Sequence, residues 1–233
     1  MKGIRLTAVA LVAVLVLGAA SAAMAAPILS IKAKTDVVTF PHGTVLYVGA
    51  AEEGKPTPTR MVVQYRKIGC DTWKYLRTIS ASRSAEGTAS VWVGHNVLDR
   101  TAGFRVISTS GGLESEVATV GVKAALSRPV VRKVVVATKR ARWVEVKGFI
   151  NPRHKAGTRP VEVKIWKKEG SDWVLKGTLH PKIVSQTYLG SKWAFGFKVS
   201  ADRKGLWRLQ VSHEDTGHVA STSGYSYVKV VAK

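Results

Sequence analysis

The stretch that decides the fold occurs twice: residues 61–79 read MVVQYRKIGCDTWKYLRTI, and residues 161–179 read VEVKIWKKEGSDWVLKGTL. A shift of 100 positions places Trp73 on Trp173, each just after a turn. Further matches follow in the same order: Val63 on Val163, Lys67 on Lys167, Thr78 on Thr178, and Phe104-Arg105-Val106 on Trp207-Arg208-Leu209 at a shift of 103. The agreement in residue type and order indicates that a unit of roughly 100 residues has been duplicated.

Each copy alternates apolar and polar residues, a pattern that predicts half-buried strands and argues against helices. In the first copy, for example, Met61, Val63 and Tyr65 alternate with more polar neighbours. Turn signals such as Gly111-Gly112 separate the runs. The pattern predicts strands at 28–34, 44–50, 61–67, 73–80, 88–94, 103–109 and 116–123, and at 130–136, 143–150, 161–168, 173–179, 192–199, 206–213 and 224–231. Seven short strands with evenly spaced turns are typical of an immunoglobulin-like β-sandwich.

The predicted fold class is therefore all-β, with two tandem immunoglobulin-like sandwiches. We assign the first to residues 26–125 and the second to residues 126–233. The linker is expected near 124–129, because Pro129 cannot continue the preceding strand.

Residues 1–25 are predicted to be a secretory signal peptide. Cations within the first five residues precede an apolar run over 6–20, and Ala23-x-Ala25 supplies a cleavage site. The alternative, a membrane anchor, is disfavoured because the run is shorter than the roughly 20 residues that span a bilayer. We expect a secreted mature chain without a transmembrane segment, released or held non-covalently at the cell surface.

The chain of 233 residues has 36 Lys and Arg against 15 Asp and Glu, and one cysteine. A single cysteine excludes an intrachain disulfide and a thiolate zinc site, since each needs at least two. The cations are unevenly distributed: residues 27–125 carry 12 Lys and Arg against 8 Asp and Glu, whereas residues 126–233 carry 22 against 7. This asymmetry predicts that the second half meets an anionic partner.

For an exported protein, the expected partner is an anionic cell-wall polymer or glycan, with other surface proteins as further partners. We expect neither a specific nucleic-acid partner nor a cofactor. The alternative interpretation of the charge is solubility alone, because a large net charge also keeps proteins in solution.

The repeated unit resembles the bacterial immunoglobulin-like or fibronectin type III-like repeats of exported and surface proteins. The second copy is similar to a repeat of actinobacterial secreted proteins, on these residues: Gly148-Phe149-Ile150-Asn151-Pro152-Arg153-His154, Gly157, Pro160, Trp173, Gly205-Leu206-Trp207-Arg208 and His218 through Tyr227. Neither copy has the cysteine pair of antibody domains, so only the sandwich carries over. The resemblance implies a spacer, an adhesin or a binding module without enzymatic activity.

No catalytic residue is predicted. The chain has no G-x-S-x-G motif and no glycine-rich phosphate loop after a strand. The string His213-Glu214-Asp215-Thr216-Gly217-His218 differs from the zinc-protease motif, because its histidines are five residues apart and lie in a strand and turn. We therefore expect a non-enzymatic protein.

Two loops of the second copy are nevertheless expected to converge at one end of the sandwich. Their candidate residues are Arg153, His154, Lys155, His213, Asp215 and His218. Imidazoles with a carboxylate suit a borderline metal ion, whereas the neighbouring cations disfavour one. Three interpretations stay open: a structural salt-bridge cluster, an anion or glycan contact, and a metal site.

The second candidate site is a sheet face. If Val163 and Ile165 point inward, then Lys164, Trp166 and Lys168 point outward, and neighbouring strands could add Lys176 and Arg208. A tryptophan among cations can stack a sugar ring while the cations hold its acidic groups. The alternative is that Trp166 is covered by a loop or by lysine stems.

Two further residues have simpler interpretations. Trp73 and Trp173 are expected to serve packing, because both copies share the position. Cys70, in a turn, is expected to be a free thiol or to form an intermolecular bridge.

Overall fold

The computed structural model describes residues 28–51, 60–80, 88–109, 112–137 and 140–233. The predicted signal peptide, residues 1–25, lies outside them. No helix in these ranges is both long and apolar enough to cross a bilayer.

Strands make up almost all of the regular structure. In the first half they are β1 (Ile28–Ala33), β2 (Val37–Thr39), β3 (Thr44–Ala51), β4 (Arg60–Lys67), β5 (Lys74–Ser80), β6 (Thr88–Val93), β7 (Ala102–Ser108) and β8 (Ala118–Lys123). They continue with β9 (Ala125–Leu126), β10 (Val134–Ala137), β11 (Arg142–Asn151), β12 (Glu162–Glu169), β13 (Asp172–Leu179), β14 (Lys182–Gln186), β15 (Ser191–Val199), β16 (Gly205–Asp215), β17 (His218–Thr222) and β18 (Ser226–Ala232). The single-turn 3₁₀ helix Ala201–Arg203 is the one helical element in the described ranges.

The prediction of an all-β fold is confirmed. Each predicted strand overlaps an observed one, while β2, β9, β14 and β17 were not predicted. The largest shift concerns the strand expected at 130–136, which is observed as β10 at Val134–Ala137. Pro129 and the isolated bridge between Val130 and Lys147 occupy the preceding segment.

The strands form three sheets. Two are small, with orders β1-β3-β6 and β14-β15-β11-β9. The third contains eleven strands in the order β10-β18-β16-β17-β8-β7-β4-β5, with β12 and β13 attached through β16 and β2 attached to β8. It spans both halves, because β17 pairs in parallel with β8 at Val219 and Lys123.

The segment expected as a linker, 124–129, contains a short strand that pairs with the second half. Its two-residue strand β9 pairs with the end of β11, with Leu126 opposite Ile150. Sheet pairing thus joins the halves between β8 and β17, and the connecting segment itself pairs with β11.

Two separate clusters of buried side chains underlie the sheets. One lies within residues 29–122 and includes Leu46, Met61 and Phe104; the other lies within 124–230 and includes Trp193 and Trp207. A Cβ on Gly148 would collide with the ring of Trp193, so glycine is required where β11 passes that side chain.

Strand alternation also positions the candidate site residues. Along β16, Trp207, Leu209 and Val211 are buried, and the same period continues to His213, which is 2% exposed. The residues between them, including Arg208, lie on the opposite face of the sheet.

Candidate functional site

The first candidate site is centred on Arg208, on the outer face formed by β12, β13, β16 and β18. Arg208 lies opposite Trp166 on one side and opposite Tyr227 on the other. Its guanidinium carbon is 5.1 Å from the Trp166 ring centroid, 4.6 Å from that of Trp173 and 4.4 Å from that of Tyr225. Three rings therefore enclose one cation.

The rings also contact one another. Trp166 and Tyr225 are 5.8 Å apart between centroids, and Trp173 and Tyr227 are 5.9 Å apart. Trp166, Trp173 and Tyr225 are partly buried, and Tyr227 is half exposed. We refer to these four rings with Arg208 as the Arg208 cluster.

The guanidinium has unused hydrogen-bonding capacity. Its Nε atom is buried without a hydrogen-bond partner, and the Arg208 side chain makes no hydrogen bond or salt bridge to any residue in the described ranges. Ring stacking stabilises a cation by roughly 0.5–2 kcal/mol, but it does not use the N–H donors that lie in the plane of the guanidinium. That planar set of donors matches the geometry of a carboxylate, sulfate or phosphate group.

The lysines expected beside Trp166 are placed differently from one another. Lys164 is exposed on the same face and pairs with Glu162 at 3.3 Å, and Lys168 is exposed opposite Trp173. Lys176, in contrast, occupies the irregularity in the pairing of β12 with β13 and pairs with Glu169 at 2.7 Å.

Lys176 does not contribute to the Arg208 cluster. It lines a cleft with Ile165 and Trp207, which belong to the buried face of the sheet. The hydrogen bond from Lys176 lowers the pKa of the exposed Glu169 carboxyl, which supports an internal ion pair at the sheet edge.

The second candidate site joins the two loops named from the sequence. His154 follows β11, and its backbone is held by Ser191, whose Oγ accepts from the His154 amide at 2.8 Å. His213 ends the buried row of β16. In the turn that follows, the Asp215 carboxylate accepts from the Gly217 amide at 2.7 Å, and His218 begins β17.

The three imidazoles and one carboxylate lie together. The ring centroid of His213 is 5.1 Å from that of His154 and 5.2 Å from that of His218. The Nδ1 atom of His218 is 2.9 Å from Oδ1 of Asp215, and Nε2 of His213 is 3.4 Å from Oδ2. We refer to His154, His213, Asp215 and His218 as the histidine cluster.

Backbone carbonyl groups fix the tautomers of two of the rings. His213 Nδ1 lies 2.5 Å from the Pro160 carbonyl oxygen, and His218 Nε2 lies 2.9 Å from that of Asp99. A carbonyl oxygen can only accept, so both nitrogens carry hydrogen. In the neutral rings, the lone pairs therefore fall on His213 Nε2 and His218 Nδ1.

Burial sets the charge state of the cluster. It lowers the pKa of His154 to about 4, with the neighbouring His213 and His218 adding to the effect. Burial also lowers the pKa of His213, outweighing the Pro160 carbonyl and Asp215, which raise it. Burial alone would raise the pKa of Asp215, but the hydrogen bond with His218 and its charge lower it. The lowered pKa values of His154 and His213 thus favour their neutral forms near neutral pH, in a cluster with the Asp215 carboxylate.

The cations expected in this cluster, Arg153 and Lys155, are exposed and make no hydrogen bond or salt bridge with its side chains among the described residues. Arg153 is exposed and donates to Gln186 Oε1 at 2.7 Å, and Lys155 is exposed. The nearby cation is instead Arg100, from the first half, which helps to lower the pKa of His154.

Sequence reasoning missed the contribution of the first half. Asp99 accepts from His218, and the Thr101 amide donates to the Gly217 carbonyl at 2.8 Å. No local pattern pointed to these residues, because their partners lie more than 100 positions away in the chain.

Comparison with protein-family models and with curated proteins finds no match. The likeness to immunoglobulin-like repeats therefore rests on the residues quoted from the sequence. Function is inferred from the geometry of the Arg208 cluster and the histidine cluster.

Proposed function

We propose that the protein is exported and non-enzymatic, and that its basic second half binds an anionic polymer of the cell envelope. The signal-like residues 1–25 support export. In the second half, 22 cations against 7 carboxylates leave most of the positive charge unneutralised whichever pairs form. Such a surface attracts polyanions over about 10 Å at 0.1 M salt.

The observation that carries the proposal is the Arg208 cluster. A guanidinium held by three rings has little rotational freedom left to lose on binding. It has no acidic partner among the described residues, and exposed Lys164 and Lys168 lie on the same face. An anionic group on a polymer would pair with Arg208, while the lysines attract neighbouring charges along the chain.

The same proposal includes two tandem immunoglobulin-like domains. Supporting features are the duplicated sequence and the two separate clusters of buried side chains, within 29–122 and 124–230. The first domain would then serve as a spacer, because it is nearly balanced in charge.

The test is binding of the mature chain, residues 26–233, to immobilised dextran sulfate and to uncharged dextran, eluted with a salt gradient. We expect retention on dextran sulfate alone and release as salt screens the charges. Purified cell-wall preparations provide the biological counterpart. Equal retention on both resins, or retention insensitive to salt, would contradict the electrostatic mechanism.

A second candidate function, carbohydrate recognition, is favoured by the rings themselves. Trp166 and Tyr227 present partly accessible aromatic surface beside Arg208, and sugars stack on such surfaces. This function would extend to neutral glycans and would persist at high salt.

The discriminating variant is Trp166→Ala, assayed on an array of neutral and acidic glycans. We expect Trp166→Ala to lose glycan binding. The matched control is Trp143→Ala, because Trp143 lies on β11 and is 70% exposed. Unchanged glycan binding by a folded Trp166→Ala protein would remove this candidate function.

A further inference from the structure

When both rings are neutral, the histidine cluster brings the lone pairs of His213 Nε2 and His218 Nδ1 together beside the Asp215 carboxylate. His213 Nε2 and His218 Nδ1 are 3.4 Å apart, and both face the Asp215 carboxylate. Their other ring nitrogens already donate to backbone carbonyl groups. Three electron-pair donors that converge in this way repel one another unless a cation lies among them.

We propose that the histidine cluster is a binding site for one Zn²⁺ ion, with His213 Nε2, His218 Nδ1, an Asp215 oxygen and His154 Nε2 as ligands. The site has no thiolate, so it does not depend on the single cysteine. It is independent of the Arg208 cluster and of the polymer that the second half binds.

The ligand atoms of His213, Asp215 and His218 all lie within 4.8 Å of one another, and the distances between them fit tetrahedral coordination; His154 is outside this group of three, so its ring has to shift toward the ion to become the fourth ligand. Zinc bonds to nitrogen and oxygen of about 2.0–2.2 Å require ligand atoms about 3.4 Å apart. His213 Nε2 is 3.4 Å from His218 Nδ1 and 3.4 Å from Asp215 Oδ2. His218 Nδ1 and Asp215 Oδ1 are 2.9 Å apart, which requires a shift of a few tenths of an ångström for the ideal geometry.

The outer contacts are also those of a zinc site. A histidine that binds a metal commonly donates its second ring nitrogen to a carbonyl group or a carboxylate, which fixes the tautomer. Pro160 and Asp99 accept in this way from His213 and His218. The Asp215 carboxylate is oriented by the amide of Gly217.

His154 provides the independent observation for a fourth ligand. Its Nε2 atom is buried and has no hydrogen-bond partner among the described residues. Its ring centroid lies 5.1 Å from that of His213 and 6.0 Å from that of His218. A buried unpartnered nitrogen is costly, and coordination to zinc would satisfy it.

Four protein ligands make a closed, structural site rather than a catalytic one. The side chains of His213 and His218 are 0% and 5% exposed, so substrate has little access. His218 is bonded to the Asp99 carbonyl and Gly217 to the Thr101 amide, both from the first half. Zinc would therefore stabilise the contact between the two halves.

The first measurement is metal content of the mature chain, residues 26–233, after removal of metal by EDTA and dialysis against Zn²⁺. We expect one zinc per chain and a higher unfolding temperature. Substitution by Co²⁺ should give the intense visible absorption of tetrahedral coordination. The weak spectrum of octahedral Co²⁺, or less than stoichiometric zinc, would overturn the proposal.

The second measurement compares zinc binding by variants of the proposed ligands with zinc binding by a variant of a histidine outside the cluster. Asp215→Asn and His154→Gln preserve size and should each weaken zinc binding by at least about 10–100-fold, the range found for outer-shell contacts alone. His180→Ala removes an exposed histidine outside the cluster and should bind zinc like the wild type. Equal zinc binding by Asp215→Asn and wild type would show that zinc binds elsewhere.

The alternative occupant is a proton on His218, which would pair it with Asp215 directly. In that case EDTA and Zn²⁺ would leave the unfolding temperature of the wild type unchanged above neutral pH. The metal-content measurement does not require any variant to fold, so it decides between zinc and a proton by itself.

Discussion

The two halves contain the same pair of residues with different surroundings. Trp73 and Trp173 match in the duplicated sequence, as do Arg105 and Arg208. In each half the arginine stacks on the tryptophan, with the guanidinium carbon 4.3 Å and 4.6 Å from the ring centroid. A cation–π contact that reaches across one intervening strand, β4 in the first half and β12 in the second, is thus common to both copies.

The difference lies in what else the arginine contacts. Arg105 donates to Gln64 at 2.9 Å and pairs with Glu114 at 2.5 Å, so its donors are used within the fold. Arg208 has neither contact, and Tyr225 and Trp166 lie around it instead. The side-chain donors at this scaffold position are thus used by Gln64 and Glu114 in the first half, whereas in the second half they have no partner among the described residues.

The largest effect is expected from core truncations that test whether the halves are independent. Phe104 and Trp207 match in the duplication and are 0% and 3% exposed. Phe104→Ala and Trp207→Ala should each lower the free energy of unfolding by about 3–5 kcal/mol. If the halves are separate domains, each variant shifts a different transition in calorimetry.

A single transition shifted equally by both variants would contradict the two-domain proposal. It would mean that the eleven-stranded sheet, joined through Val219 and Lys123, unfolds as one unit. The contact of His218 with Asp99 would then belong to the folding core rather than to a domain junction.

The next largest effect is the dependence of stability on pH. We expect it from the partly or fully buried histidines of the second half and not from His42 and His95, which are exposed. The pKa of His154 is about 4 in the folded chain against 6.5 for the free side chain, so the unfolded chain binds more protons between these values. In EDTA, stability should therefore be complete above pH 6.5 and fall by about 1–2 kcal/mol on acidification to about pH 5.

Urea unfolding at several pH values measures this loss. His154→Gln, which cannot titrate, should reduce the dependence, while His180→Ala should retain it. Stability that rises on acidification, or a dependence unchanged in His154→Gln, would contradict the assignment to His154.

The sequence predicted the strands well because most of them bury one face. Period-two alternation located β4, β7 and β16, whose buried rows are continuous. It missed β2, β9, β14 and β17, which are short or largely exposed. A strand with few buried residues gives no periodic pattern, so only its hydrogen bonds reveal it.

For the candidate sites, the alternation along each strand predicted which face a residue lies on, but it did not predict contacts that arise from tertiary packing. The outward positions of Trp166 and Arg208 followed from alternation on two strands. Lys176 did not, because the irregular pairing near Trp166 changes the face on which it lies, and no sequence pattern marks that irregularity. The contact between Asp99 and His218 could not be predicted from the sequence either, because it forms only through the packing of the two halves.

A third prediction tests the two arginines directly. Arg208→Ala should weaken binding to dextran sulfate about five- to tenfold, close to 1 kcal/mol, because it removes the preoriented guanidinium. Arg105→Ala removes the same charge but leaves the Arg208 cluster intact, so its effect on binding should be much smaller. It should instead lower stability, because Glu114 and Gln64 lose their partner.

Retention chromatography and urea unfolding of the two variants provide the two readouts. Equal loss of binding by both would mean that net charge alone determines retention. The Arg208 cluster would then be a packing feature like its counterpart around Trp73.

The smallest effect is expected at the turn that precedes each tryptophan. Gly69 and Gly170 occupy these turns with φ of 77° and 61°, in the region that favours glycine, and exposed Cys70 follows the first glycine as Ser171 follows the second. Cys70→Ser, which gives the first turn the side chain of the second, should change stability by less than about 0.5 kcal/mol and leave polymer binding unchanged. The wild-type thiol should react fully with a thiol reagent in the folded state, since it is exposed. Loss of a dimer in Cys70→Ser under oxidising conditions would instead assign Cys70 an intermolecular bridge, a role that Ser171 cannot share.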